Sequence, residues 1–172
     1  MKGFLQGKWL GHPLHPILVH IPMALWPAAL FFDLVSALGR GNIALAHTSF
    51  YCILAGLVAA ALAIPTGLAD WWEVKPNKPA WKLGIYHMVA NLAATVVWLV
   101  NLVVRFNTPS DSVETGALPV GLSIVGTLIL IGSGYLGGRM VYAHGIGVAR
   151  HSKKRWRQIA KRGGARLPPE KG

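Results

Sequence analysis

Four apolar runs, each long enough to cross a lipid bilayer as a helix, constrain this chain more than any other feature. They cover residues 16–38, 43–64, 82–104 and 119–143. A helix needs about 20 apolar residues to span the ~30 Å hydrocarbon core. Only 13% of the residues are charged, against about 25% in soluble domains. The sequence therefore predicts an all-α, integral membrane four-helix antiparallel bundle over residues 1–148, followed by a short basic tail over 149–172.

Lysine and arginine are divided unequally between the two sides of this bundle. Four spans place both termini and the loop 66–81 on one side, which we name end A, and the two remaining turns on the other side, end B. Of the 17 lysine and arginine residues, all but Arg40 and Arg105 fall at end A. Loops rich in positive charge stay in the cytoplasm. We therefore expect end A, with both termini, to be cytoplasmic.

Histidines are concentrated at the predicted end A. His20 lies about one turn inside the first span, with His12 and His15 just before it, His87 lies about one turn inside the third, and His144 follows the fourth. Imidazole is the commonest side-chain metal ligand, and ionisable residues inside a membrane usually serve a function. The shared depth of His20, His87 and His144, one from each of three spans, predicts one cofactor site near the cytoplasmic face.

The chemistry of this site has several interpretations. Small residues beside the histidines leave a slot for a flat macrocycle, so two of the three imidazoles could hold a b-type haem. The same histidines could instead bind zinc or non-haem iron, with Asp70 as a fourth ligand. A proton-handling cluster, or separate structural histidines, are further alternatives. Supporting or alternative ligands are His12, His15, Asp70 and Arg139, and Arg139 could meet haem propionates.

The tail RHSKKRWRQIAKR places Trp156 and Ile159 among many cations. Each basic residue near an anionic leaflet contributes about 1 kcal/mol of attraction. Because this tail leaves a membrane, we expect it to bind anionic lipids and not nucleic acid. The sequence contains no glycine-rich phosphate loop and no Ser/His/Asp set, so it does not support an NTPase or a hydrolase.

Four segments, GHPLHPILVHIPMALWPAALFFDL, TGLADWW, LGIYHMVANL and GYLGGRMVYAHGIGV, resemble a family of small bacterial membrane proteins known as a domain of unknown function. The similarity covers about residues 11–148. It implies four transmembrane helices in the bacterial inner membrane. It also implies an association with Rieske-type or c-type cytochrome modules, which favours electron transfer.

These observations lead to one functional hypothesis and two alternatives. The hypothesis is a membrane redox protein that binds haem b and exchanges electrons with a quinone or a protein partner. The first alternative is a non-enzymatic scaffold or assembly component with structural histidines. The second is a histidine-based metal-binding or transport protein, although Asp33, Asn91 and Thr95 are too scattered in the sequence to outline a path. Whether the protein is an enzyme stays open.

Overall fold

The computed structural model describes residues 2–40, 43–107, 115–148 and 152–167, and over these residues the chain is helical with no strand. Four of its helices are long and apolar enough to cross a membrane, which confirms the predicted all-α four-helix membrane bundle. The elements, in chain order, are α1 (Lys2–Leu5), a 3-10 turn (Lys8–Leu10), α2 (Leu14–Val35), a π-helical turn (Ser36–Arg40), α3 (Ile43–Trp71), α4 (Pro79–Phe106), α5 (Ala117–Tyr142) and α6 (Lys153–Arg162).

The second span is longer than predicted. Its helix passes through Pro65 and ends at Trp71, so the predicted end at residue 64 was wrong. In this turn the Thr66 hydroxyl donates a hydrogen bond to the Ala63 carbonyl at 2.7 Å, and His15 bonds to the same carbonyl at 3.0 Å. Proline is tolerated inside membrane helices where neighbouring groups satisfy the loosened backbone. The predicted loop 66–81 therefore shrinks to residues 72–78.

The four long helices form two hairpins that pack side by side. Helix α2 packs along α3, α4 packs along α5, and the hairpins meet where α2 contacts α5 and α3 contacts α4. Trp26 of α2 and Trp98 of α4 stack at the centre, with ring centroids 5.5 Å apart and planes 19° apart. Both side chains are almost completely buried. The core is therefore organised around one tryptophan from each hairpin.

The two hairpins repeat the same packing arrangement. Trp26 lies against Gly56 of α3, and Trp98 lies against Gly126 of α5; a methyl group on either glycine would collide with the indole. The tryptophans are 72 residues apart in the sequence and the glycines 70. Because the equivalent tryptophans stack on each other, an approximate two-fold axis runs between them along the bundle. The hairpins are thus parallel repeats, of the kind found in some transporters.

The N-terminal segment folds back over end A of the first hairpin. The Gln6 side chain donates a hydrogen bond to the Ala69 carbonyl at 3.0 Å. Glu73, just beyond α3, lies 3.2 Å from the Lys8 ammonium and 3.7 Å from that of Lys2. Hydrogen bonds from Gln6 and Lys8 lower the pKa of the Glu73 carboxyl. This exposed carboxylate therefore holds the cationic N-terminus close to the membrane end of α3.

The basic tail contains one amphipathic helix, α6. It begins at a capping serine, Ser152, whose hydroxyl accepts a hydrogen bond from the Arg155 backbone amide at 3.2 Å. Trp156 and Ile159 are exposed and three residues apart, so they lie on one face of the helix. A cationic helix with a narrow apolar face is typical of a segment that lies on a membrane surface.

Candidate functional site

The three histidines predicted to share a site occupy different environments. His20 lies on the exposed surface of α2, where its Nδ1 bonds to the Pro16 carbonyl of the same helix. His144 is half-buried in the turn that follows α5, and His87 lies inside the bundle between α4 and α5. Within the described ranges of the chain, no group of three or more His, Cys, Asp or Glu side chains could hold a metal ion. The assignment of these three histidines as joint ligands stays a prediction.

His87 is held by hydrogen bonds that define its tautomer. Its Nδ1 lies 2.8 Å from the Ser133 carbonyl, on α5. A carbonyl can only accept, so Nδ1 carries the proton and Nε2 carries the lone pair. The Asn91 amide, one turn along α4, lies 3.1 Å from Nε2 and donates to it. The outer nitrogen of His87 is therefore a neutral electron-pair donor inside the membrane.

His15 makes the same contact in the first hairpin. Its Nδ1 lies 3.0 Å from the Ala63 carbonyl on α3, so here too Nδ1 donates, and in the neutral ring Nε2 keeps the lone pair. The Thr66 hydroxyl lies 3.4 Å from the same ring nitrogen. His15 and His87 therefore make the same type of contact in the two hairpins, although the sequence analysis gave His15 only as a supporting or alternative ligand.

Glycine on the facing helix makes room for each imidazole. A Cβ atom on Gly67 of α3 would lie 2.6 Å from the His15 ring, and one on Gly137 of α5 would lie 2.9 Å from the His87 ring. Ordinary van der Waals contact requires 3.5–4.0 Å. Each histidine ring therefore lies directly against the backbone of its neighbouring helix.

The remaining predicted site residues lie at the periphery. His12 and Arg139 are exposed, and the Nδ1 atom of His12 lies 3.1 Å from the Pro13 carbonyl. Asp70 is half-buried in the last turn of α3.

A second polar cluster, which the sequence analysis missed, lies at end B. The carboxylate of Asp33 on α2 is fully buried and lies 2.6 Å from the Arg105 guanidinium of α4. It also accepts hydrogen bonds from the hydroxyls of Ser49 on α3 and Ser123 on α5, each at 2.6 Å. Asn101 bonds to both Ser123 and Arg105, at 2.8 and 2.9 Å. All four spans therefore meet at one carboxylate.

This cluster of Asp33, Ser49, Asn101, Arg105 and Ser123, which we name the end-B network, is a structural clamp. Both carboxylate oxygens are bonded and the ion pair is shielded from solvent. Asp33 and Arg105 each lie seven residues beyond the central tryptophan of their helix. The equal spacing from the tryptophan to the charged residue in the two helices is the sequence signal that could have revealed this ion pair.

Comparison with known proteins gives a family but no close relative. No curated protein and no solved structure matches the chain. The family described as "Predicted membrane protein (DUF2231)" matches residues 11–150, which include all four spans. The chain therefore belongs to this family of predicted membrane proteins.

Proposed function

We propose that this protein is a membrane redox protein that holds a b-type haem between its helices near end A. The observation that carries the proposal is the state of His87. Its Nδ1–H is fixed on the Ser133 carbonyl, so Nε2, which accepts a hydrogen bond from the Asn91 amide, is the ring nitrogen that would bind a haem iron. Metal-binding histidines characteristically donate their second ring N–H to a carbonyl or a carboxylate, which fixes the ring orientation. Haem needs only two such imidazoles from different helices.

Haem would supply one-electron chemistry by cycling between ferric and ferrous iron. A quinone or a protein partner would donate or accept the electron. The protein contributes orientation and an environment of low polarity. Ser133 and Gly137 set the position of the half-buried His87 ring from α5. A Rieske-type or c-type cytochrome is the partner that the family resemblance favours.

The few ligands that these histidines provide suit a haem iron better than a zinc ion or a non-haem iron. Protein sites for those ions use three or four ligands. The described residues provide no group of three candidate ligands, whereas a haem iron takes its four equatorial ligands from the macrocycle.

The absorption spectrum of the purified protein tests this function. After expression with haem precursor, we expect a Soret band and, on reduction, the split α and β bands of a six-coordinate b-type haem. The matched control is the same preparation from cells that express an unrelated four-span protein. A colourless parent protein without iron after haem supplementation would refute the proposal and favour the scaffold interpretation.

We further propose that the protein lies in the bacterial inner membrane with end A in the cytoplasm. The concentration of lysine and arginine at end A and the cationic helix α6 support this orientation. A phosphatase reporter fused after residue 172 should be inactive, because this enzyme works only in the periplasm. The control is the same reporter fused at residue 110, between α4 and α5, which should be active. The reverse pattern would contradict the orientation.

A further inference from the structure

The histidines and tryptophans of α2 and α4 follow one common spacing. Trp26 follows His15 by eleven residues, and Trp98 follows His87 by eleven. Eleven residues make about three turns and return within about 20° to the same helix face, about 16 Å along the axis. Since the two indoles stack on each other, the two imidazoles share a level three turns closer to end A.

The facing helices α3 and α5 show the same spacing. Gly67 follows Gly56 by eleven residues, and Gly137 follows Gly126 by eleven. The first glycine of each pair receives an indole and the second an imidazole. Each imidazole therefore lies against a glycine of the facing helix, as does the tryptophan three turns further along its own helix.

From this repeat we propose that His15 is the second axial ligand and that it acts with His87 as an equivalent pair about the approximate two-fold axis. The inference rests on the proposed function, and it names the ligands that the function requires. In both rings Nδ1 bonds to a carbonyl of the next helix, so Nε2 is the nitrogen that could bind iron, and in His87 the Asn91 amide bonds to it. Two equivalent imidazoles match the two axial positions of a haem, which lie on opposite faces of one plane.

His20 does not fit this pair. It follows His15 by five residues, which places it about 140° around α2 from His15. Its exposed position and its bond to Pro16 agree with that rotation. A haem between the helices of the bundle would be within reach of His15 and not of His20.

The two halves of the site differ at one residue. Asn91 donates to the Nε2 of His87, while the corresponding position four residues after His15 is Val19. The Asn91 amide occupies the lone pair that an iron would take, so ligation of His87 requires the amide to move aside. Asn91 is accordingly a capping residue and not a ligand.

Single alanine variants of the full-length protein test the pair. We expect His15→Ala and His87→Ala each to lose the low-spin ferric spectrum and at least nine-tenths of the bound haem, because one axial ligand is gone. His20→Ala and His144→Ala are the matched controls and should keep the parent spectrum. Gel filtration and circular dichroism should show the first two variants folded like the parent, which separates the loss of a ligand from the loss of the fold. If an alanine variant does not fold, His15→Gln replaces it, since Gln offers an N–H donor without an imidazole.

The outcomes separate the ligand assignment from the function. A haem-containing parent whose spectrum survives His15→Ala but not His20→Ala or His144→Ala would overturn the pair and leave the redox function intact. A parent without haem would refute the function itself, and the pair with it. Asn91→Val should take up haem at least as fast as the parent; slower uptake would overturn the capping role.

Discussion

Replacing Arg105 with leucine is expected to lower the free energy of unfolding by about 3–5 kcal/mol, because it leaves a buried carboxylate without its counter-charge. Asp33 is completely shielded from solvent and lies 2.6 Å from the guanidinium. The serine hydroxyls that would remain, Ser49 and Ser123, donate hydrogen bonds but carry no charge. The substitution should therefore affect all four spans, since the end-B network joins them.

Reversible unfolding in mixed detergent micelles, followed by tryptophan fluorescence, measures this loss. In the double variant Asp33→Asn/Arg105→Leu, much of the stability should return because no unpaired charge is buried. Glu73→Gln is the matched control for a solvent-exposed ion pair and should change stability little. A loss below about 1 kcal/mol in Arg105→Leu, the range of exposed pairs, would contradict the burial of this network.

Trp26→Ala and Trp98→Ala should each cost about 3–5 kcal/mol, the range for removing a large buried aromatic side chain. The two rings are 2% and 0% exposed and stack on each other. Each also fills a notch created by a glycine, Gly56 or Gly126, which no neighbouring side chain can fill in its place. Because the two positions are equivalent in the repeat, we expect the two losses to be similar.

The same unfolding assay, followed by circular dichroism because the fluorescent residues change, provides the measurement. Trp72→Ala is the control, since that side chain is 70% exposed beyond the end of α3. The double variant Trp26→Ala/Trp98→Ala should cost less than the sum of the single losses, because the rings contact each other. Strict additivity, or very unequal single losses, would argue against a shared central stack.

The end of the bundle at which each histidine lies could be predicted from the sequence, but its rotation about the helix and its level within that end could not. The length of the apolar runs places His20 and His87 near one level, and the prediction used only that level. Which side of a helix faces the bundle depends on packing with neighbours, and apolar residues surround these membrane helices on every side. His15, five residues before His20, therefore could not be separated from it by periodicity alone.

The end-B network and the internal repeat were missed for a related reason. Asp33 and Arg105 lie far apart in the sequence, in spans that are not consecutive, so their ion pair is visible only once the hairpins are packed. The repeat is hidden because lipid-facing positions accept any apolar residue, so few identities persist between the hairpins. The positions that kept their identity are those where packing leaves no alternative, such as Gly56 and Gly126.

The opposite charges of the end-B ion pair favour association of the first hairpin with the second over association of either hairpin with a copy of itself. Asp33 and Arg105 occupy corresponding positions in the two repeats but carry opposite charges. Were the first hairpin to associate with a second copy of itself, two carboxylates would meet inside the bundle near end B. Two copies of the second hairpin would bring two guanidinium groups together there. Like charges buried without counter-charges are strongly unfavourable. A stable bundle therefore requires one hairpin of each kind, although the two share one architecture.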